Sequence, residues 1–170
     1  MRININNLNG VRIDIGNIYY HTKYYNKAVA YSTQAKDYYQ GGKGYNHIQW
    51  YISCLYSLGK TYLEQDDTAA LQSVIKESER ALPQLKPRDR QFETAYLNYL
   101  KGGMAFLQNQ LPAARQFLEA ALPEIKQNGD FTNEHVIYLY LGKILWIQNN
   151  KDEAVTYFNK IDSLFNEKNF

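Results

Sequence analysis

The sequence predicts an all-α chain in which a helix pair recurs four times. Three observations carry this. Gly16, Gly59, Gly102 and Gly142 are separated by 43, 43 and 40 residues. The residue twelve positions after each is Ala28, Leu71, Ala114 and Ala154, alanine in three of the four units. No strand-like alternation or low-complexity segment interrupts the pattern. Small residues at facing positions let two antiparallel helices cross closely, where bulk would push the axes past the usual ~8–10 Å. One such pair cannot bury its apolar face alone, so stacking of neighbours is expected to supply stability.

The clearest copy is Tyr138–Ile161, and it sets the register for the rest. The first helix is expected over Leu8 to Tyr20 and its partner over Tyr24 to Gln40, joined by His21-Thr22-Lys23. The glycines of Gly41-Gly42-Lys43-Gly44 should stop the second helix by taking left-handed backbone geometry. The third helix is expected from Tyr45 to Glu64. A Gln65-Asp66-Asp67 turn follows, with Asp67 or Thr68 as N-cap, and the fourth helix runs to Leu82. Pro83 and Pro87 bracket a link that reads as a flexible joint. The fifth helix should span Arg88 to Gln108. Leu111-Pro112 opens the sixth, and Pro123 should kink or end it. After Asn128-Gly129-Asp130 the seventh helix runs from Asn133 to Ile147. Past Asn149-Asn150-Lys151-Asp152, the eighth runs from Asp152 to Phe165.

With 170 residues, one domain over 1–170 is expected, its repeats at about 8–42, 45–82, 88–127 and 131–165. Hydrophobic residues make up 45% and charged residues 21%, the balance of a folded soluble chain. Sixteen tyrosines are the outlier. A tyrosine buries a large ring and keeps a hydroxyl for a polar partner, which suits half-buried helix faces and binding surfaces. The formal charge of +2 is spread along the chain, so direct nucleic-acid contact is not expected. The single cysteine, Cys54, sits in an apolar helical stretch and reads as a buried, inert thiol. No apolar run reaches the ~18 residues of a membrane span, and MRININNLNG lacks a signal-peptide pattern. The expected localisation is cytoplasmic, or periplasmic if the segment is cut from a membrane-anchored regulator.

Catalytic chemistry finds no support. His21, His47 and His135 lie near helix ends in different units, without zinc-ligand spacing. The glycine run beside Lys43 lacks phosphate-loop spacing and a preceding strand. No nucleophile elbow occurs, and the carboxylates read as solvated charges on amphipathic helices. No cofactor or metal is implied, and the protein is expected not to be an enzyme.

The order aromatic-x2-Leu-Gly-x2-Tyr, then Ala-x3-Phe, resembles the tetratricopeptide repeat. Leu141-Gly142, Ala154 and Phe158 carry it in the fourth unit, and Ile15-Gly16, Tyr19 and Ala28 in the first. The second unit matches less well and the third least, and the period exceeds the standard ~34 residues. The resemblance implies a right-handed α-solenoid of four antiparallel helix pairs that binds a protein or peptide. In that family the first helices of successive repeats line a groove. The corresponding positions are Ile13, Asn17 and Tyr20; Tyr56, Lys60 and Leu63; Tyr99, Gly103 and Phe106; Leu139, Lys143 and Trp146. Each set is spaced i, i+4, i+7 and shares one helical face. The candidate binding residues are therefore Asn17, Tyr20, Tyr56, Lys60, Tyr99, Phe106, Lys143 and Trp146. Rings could anchor a peptide while the lysines fix an acidic group. The carboxylate clamp for chaperone tails is absent, since Ile13, Ser57, Tyr96 and Leu100 occupy its positions.

The closing run LGKILWIQNNKDEAVTYFNKIDSLFNEKNF is similar to the last repeats of bacterial regulators, in which a tetratricopeptide sensor precedes a membrane helix and a helix-turn-helix domain. The long period resembles that of bacterial peptide-pheromone receptors. A sensor or scaffold role in a bacterial regulatory protein is the resulting expectation. The eighth helix carries Ala154, Val155, Tyr157, Phe158, Ile161, Leu164 and Phe165, more apolar surface than one buried stripe needs. That excess raises an alternative: a structural subunit that assembles, or self-associates, through its convex face or terminal helix.

Overall fold

The computed structural model describes the backbone of residues 5–167 and the side chains of residues 8–166. Over those residues the chain is helical: α1 (Ile5–His21), α2 (Tyr25–Gln40), α3 (Tyr45–Glu64), α4 (Thr68–Ala81), a 3-10 turn (Leu82–Gln84), α5 (Pro87–Leu107), α6 (Leu111–Gln127), α7 (Phe131–Ile147) and α8 (Lys151–Glu167). The described residues form two compact units, which divide between Glu93 and Thr94. In the first unit α1 packs on α2, α2 on α3 and α3 on α4; in the second α6 packs on α7 and α7 on α8. No helix among the described residues is long and apolar enough to cross a membrane.

The repeat is written into the backbone more sharply than into the side chains. Each helix pair is joined by a turn whose middle residue has positive φ: Lys23 (62°), Asp66 (54°), Asn109 (57°) and Asn149 (61°). The hydrogen bonds match from turn to turn. The next amide reaches back to the carbonyl five residues earlier: Tyr24 to Tyr19 at 2.8 Å, Asp67 to Tyr62 at 3.0 Å, Gln110 to Ala105 at 2.8 Å and Asn150 to Leu145 at 2.9 Å. The left-handed residue's own amide reaches three back, as in Lys23 to Tyr20 at 3.0 Å and Asn149 to Trp146 at 3.1 Å. This is the Schellman closure, which satisfies carbonyls that a helix end leaves orphaned. The carbonyls of Tyr24, Asp67, Gln110 and Asn150 then accept from Ala28, Leu71, Ala114 and Ala154 in the first turn of the following helix. The twelve-residue offset is thus the length of one closed turn plus its flanks.

All four of those residues, Ala28, Leu71, Ala114 and Ala154, have no exposed surface. Gly16, Gly102 and Gly142 come closest to the residue sixteen positions on. A Cβ built on Gly16 would lie 2.7 Å from Ser32 Oγ. On Gly102 it would lie 2.6 Å from Leu118 Cγ, and on Gly142 2.3 Å from Phe158 Cε1. The tightest approach at these three glycines is to the residue one turn beyond the alanine, and at Gly16 the Ala28 carbonyl lies close as well, at 3.5 Å. Cys54 is fully buried, and burial pushes its thiol up to about 12, so the inert reading holds.

Local expectations fare unevenly. Asp67 is the N-cap of α4, its carboxylate accepting from Ala70 N at 3.0 Å. Asp130 caps α7 in the same way, accepting from Asn133 N at 3.1 Å, so that helix begins at Phe131 and not at Asn133. Gly41 keeps a right-handed φ of −85°; among the glycines of that loop, positive φ falls on Gly44 (101°), just before α3. The Pro83–Pro87 link is not a loose joint. Leu85 is 2% exposed, and the Arg90 guanidinium donates to Pro83 O at 2.9 Å and Leu85 O at 2.8 Å. Pro123 does not end α6, which continues to Gln127. Ala121 and Ile125, on either side of it, have no exposed surface, and that burial outweighs the lost hydrogen bond. The carboxylates are not all solvated either. Glu134 is 3% exposed, accepts from Tyr138 Oη at 2.9 Å and faces Lys126 Nζ at 3.7 Å. A buried carboxylate is tolerable only with such partners.

Candidate binding surfaces

In the first unit, α1 supplies Asn17 and Tyr20, and α3 supplies Tyr56 and Lys60. Lys60 Nζ lies 4.8 Å from the centre of the Tyr20 ring and 4.9 Å from that of Tyr56. All three side chains are half-buried. An ammonium held against two ring faces gains roughly 0.5–1 kcal/mol per ring at a partly exposed site. A lysine can therefore sit among aromatics here without full desolvation. Asn17 is drawn inward instead. Its Oδ1 accepts from Ser57 Oγ at 3.1 Å, and the Ser57 and Ser32 hydroxyls lie 3.2 Å apart in the interior. Ile13 and Leu63, on the same faces, are buried at 6% and 4% exposure.

In the second unit the four candidates separate. Tyr99 is 2% exposed, so its ring packs inside. Phe106 is half-buried and meets Tyr140 edge-on at 5.1 Å. Lys143 is exposed, and Trp146 is 50% exposed, with Lys151 Nζ 5.3 Å over its ring. Ile147, 56% exposed, adjoins it at the end of α7. The geometry brings together Tyr20, Tyr56 and Lys60 in one unit, and Lys143 with Trp146 on one helix in the other. Among the described residues there is no group of three or more histidine, cysteine, aspartate or glutamate side chains able to hold a metal ion.

One feature had no signal in the repeat pattern. Between the C-terminal ends of α2 and α4 and the start of α3 lies a cleft of about 930 Å³, lined among others by Lys36, Tyr45, Tyr51, Lys76, Glu77 and Arg80. Glu77 Oε2 accepts from Tyr51 Oη at 2.8 Å and pairs with Lys36 Nζ at 3.2 Å. Burial, and next the hydrogen bond to Glu77, push the Tyr51 phenol well above its ordinary range, so it stays a donor. Its residues come from three helices, and no single helix spacing announces it.

Residues 136–167, covering most of α7 and α8, match the tetratricopeptide repeat family. No curated protein matches the sequence. Solved structures share the fold, RapI and an aspartyl phosphate phosphatase among them. The apo form of RapI aligns over 95% of this chain and 57% of its own length, with a TM-score of 0.71 and 13% identity. Aspartyl phosphate phosphatase F from Bacillus subtilis aligns over 99% of this chain and 43% of its own, with a TM-score of 0.72 and 14% identity. The chain thus spans about half the length of either structure. The tetratricopeptide repeat and the all-α architecture of helix pairs, both read from the glycine and alanine register, are what these matches show.

Proposed function

We propose that this protein is a non-catalytic module that binds a peptide or protein segment carrying an acidic group beside apolar side chains. The observation that carries the reading is Lys60 held between Tyr20 and Tyr56. Three half-buried side chains from two successive first helices present a cation framed by rings. Such a surface can receive a carboxylate on the ammonium and an apolar side chain on the rings. Lys143 and the exposed Trp146 offer the same chemistry in the second unit. The name phosphatase belongs to one structural relative, and at 14% identity that likeness is one of fold. Within this reading the module serves as the sensor part of a bacterial regulatory protein, the role suggested by the resemblance of the long repeat period and of the closing run LGKILWIQNNKDEAVTYFNKIDSLFNEKNF to such proteins.

The test is selection of random decapeptides on the immobilised protein, then fluorescence anisotropy of the selected peptides. Acidic, aromatic or aliphatic peptides should emerge. Lys60→Met and Trp146→Ala should each weaken them by about tenfold, a loss of ~1.4 kcal/mol. Unchanged affinity in both variants refutes the reading. A second reading, assembly through the last helix, is favoured by the exposure of Val155 (45%) and Phe165 (47%) on α8. It predicts instead that Phe165→Ser shifts the sedimentation coefficient and leaves peptide affinity intact.

A further inference from the structure

The cleft among α2, α3 and α4 lies apart from the Tyr20–Tyr56–Lys60 surface and calls for its own occupant. Its charge is unbalanced. Lys36 and Tyr51 already satisfy Glu77. Lys76 and Arg80 line the same wall, four residues apart on α4, and make no ion pair or hydrogen bond among the described residues. Like charges at that spacing repel and cost a helix a few tenths of a kcal/mol, unless an anion sits between them. The rest of the wall includes Gly42, against which the His47 ring packs, Gly44, whose Cβ position meets nothing within 4 Å, and the half-buried Tyr45. Its volume of about 930 Å³ falls within the range of small-molecule sites, roughly 300–1,000 Å³.

We propose that this cleft binds a small organic phosphate. The phosphate oxygens lie against the Lys76 ammonium and the Arg80 guanidinium, whose planar fork suits a tetrahedral dianion. The organic body lies toward Tyr45 and Gly44. Glu77 occupies Lys36 and the Tyr51 hydroxyl, which leaves Lys76 and Arg80 as the cations available to the anion.

The experiment is a 1H–15N NMR titration of the full chain with phenyl phosphate, and separately with inorganic phosphate. Phenyl phosphate should shift amides at residues 42–45 and 73–82 in a saturable way and bind more tightly than inorganic phosphate. Lys76→Gln combined with Arg80→Gln should weaken it by about tenfold or more, the loss of two charge-assisted contacts. Both residues are exposed, so the variant should keep the wild-type melting temperature. Lys160→Gln, an exposed lysine on α8 outside the cleft, should change the affinity less than about twofold, as expected of weak exposed charges. Absence of shifts at the cleft overturns the proposal. So does equal weakening by Lys160→Gln, which would mean diffuse charge attraction, or wild-type affinity in the double variant. Loss of peptide binding in Lys60→Met bears on the other surface alone, so the two readings fail separately.

Discussion

Gly102→Ala should destabilise the protein although alanine is the better helix former. The new Cβ would lie 2.6 Å from Leu118 Cγ, 2.8 Å from its Cδ2 and 3.3 Å from its backbone nitrogen. Leu118 has no exposed surface, so its side chain cannot swing out, and the backbone contact asks α6 itself to retreat. Overpacking of this kind costs about 1–3 kcal/mol, and two contacts below 3 Å with a rigid branch point place it in the upper half. Helix propensity returns about 1 kcal/mol. The net is a loss of about 1–2 kcal/mol. Gly10→Ala is the internal reference. A Cβ there meets nothing within 4 Å, so the propensity gain should appear alone, as about 0.5–1 kcal/mol of stabilisation. Urea denaturation followed by circular dichroism reads both, provided the slope against denaturant is unchanged. A Gly102→Ala variant as stable as wild type, beside a stabilised Gly10→Ala, would refute the close crossing.

Two further predictions follow from other features. Lys23 holds a φ of 62° where the equivalent positions later in the chain carry aspartate or asparagine. Lys23→Asn should raise stability by about 0.5 kcal/mol, since asparagine tolerates that conformation; a lower urea midpoint would show that the lysine is not strained. Burial, and next the nearby charge of Asp89, push the Glu93 carboxyl up to about 7 from an ordinary 4.5. The folded state then keeps a proton that the unfolded chain has lost. Stability should fall as pH rises from about 4.5 to 7 and level off above, and Glu93→Gln should flatten that slope in urea midpoints measured across the range.

The helix pairs were legible because their signals are local. Glycine and alanine at fixed offsets, and Asp67 ahead of an apolar stripe, are each readable within one turn of helix. The left-handed residues were less so: Asp66, Asn109 and Asn149 are of types that favour that conformation, but Lys23 is not, and each takes positive φ only where the following helix folds back. Pro123 misled because its local penalty is outweighed by Ile125, whose burial depends on a neighbouring helix. The same division runs through the candidate site. The i, i+4, i+7 rule places Tyr99 and Lys60 on comparable faces but does not say what covers each. Tyr99 is enclosed, whereas Lys60 meets rings brought by α1 and α3. Glu134 and the cleft by Lys76 depend on contacts between helices, and helix spacing does not encode those.

The four identical turns also bear on how the chain acquires its structure. Each is closed by backbone bonds spanning five residues or fewer, and each joins two helices consecutive in sequence. Little loop-closure entropy stands in the way of any one of them, so chains of this kind search their conformations quickly. No single hairpin holds a privileged position as the starting nucleus, and folding can begin at several places and spread by docking of neighbours. A substitution that slows closure of one turn should therefore reroute folding through the others before it slows the overall rate.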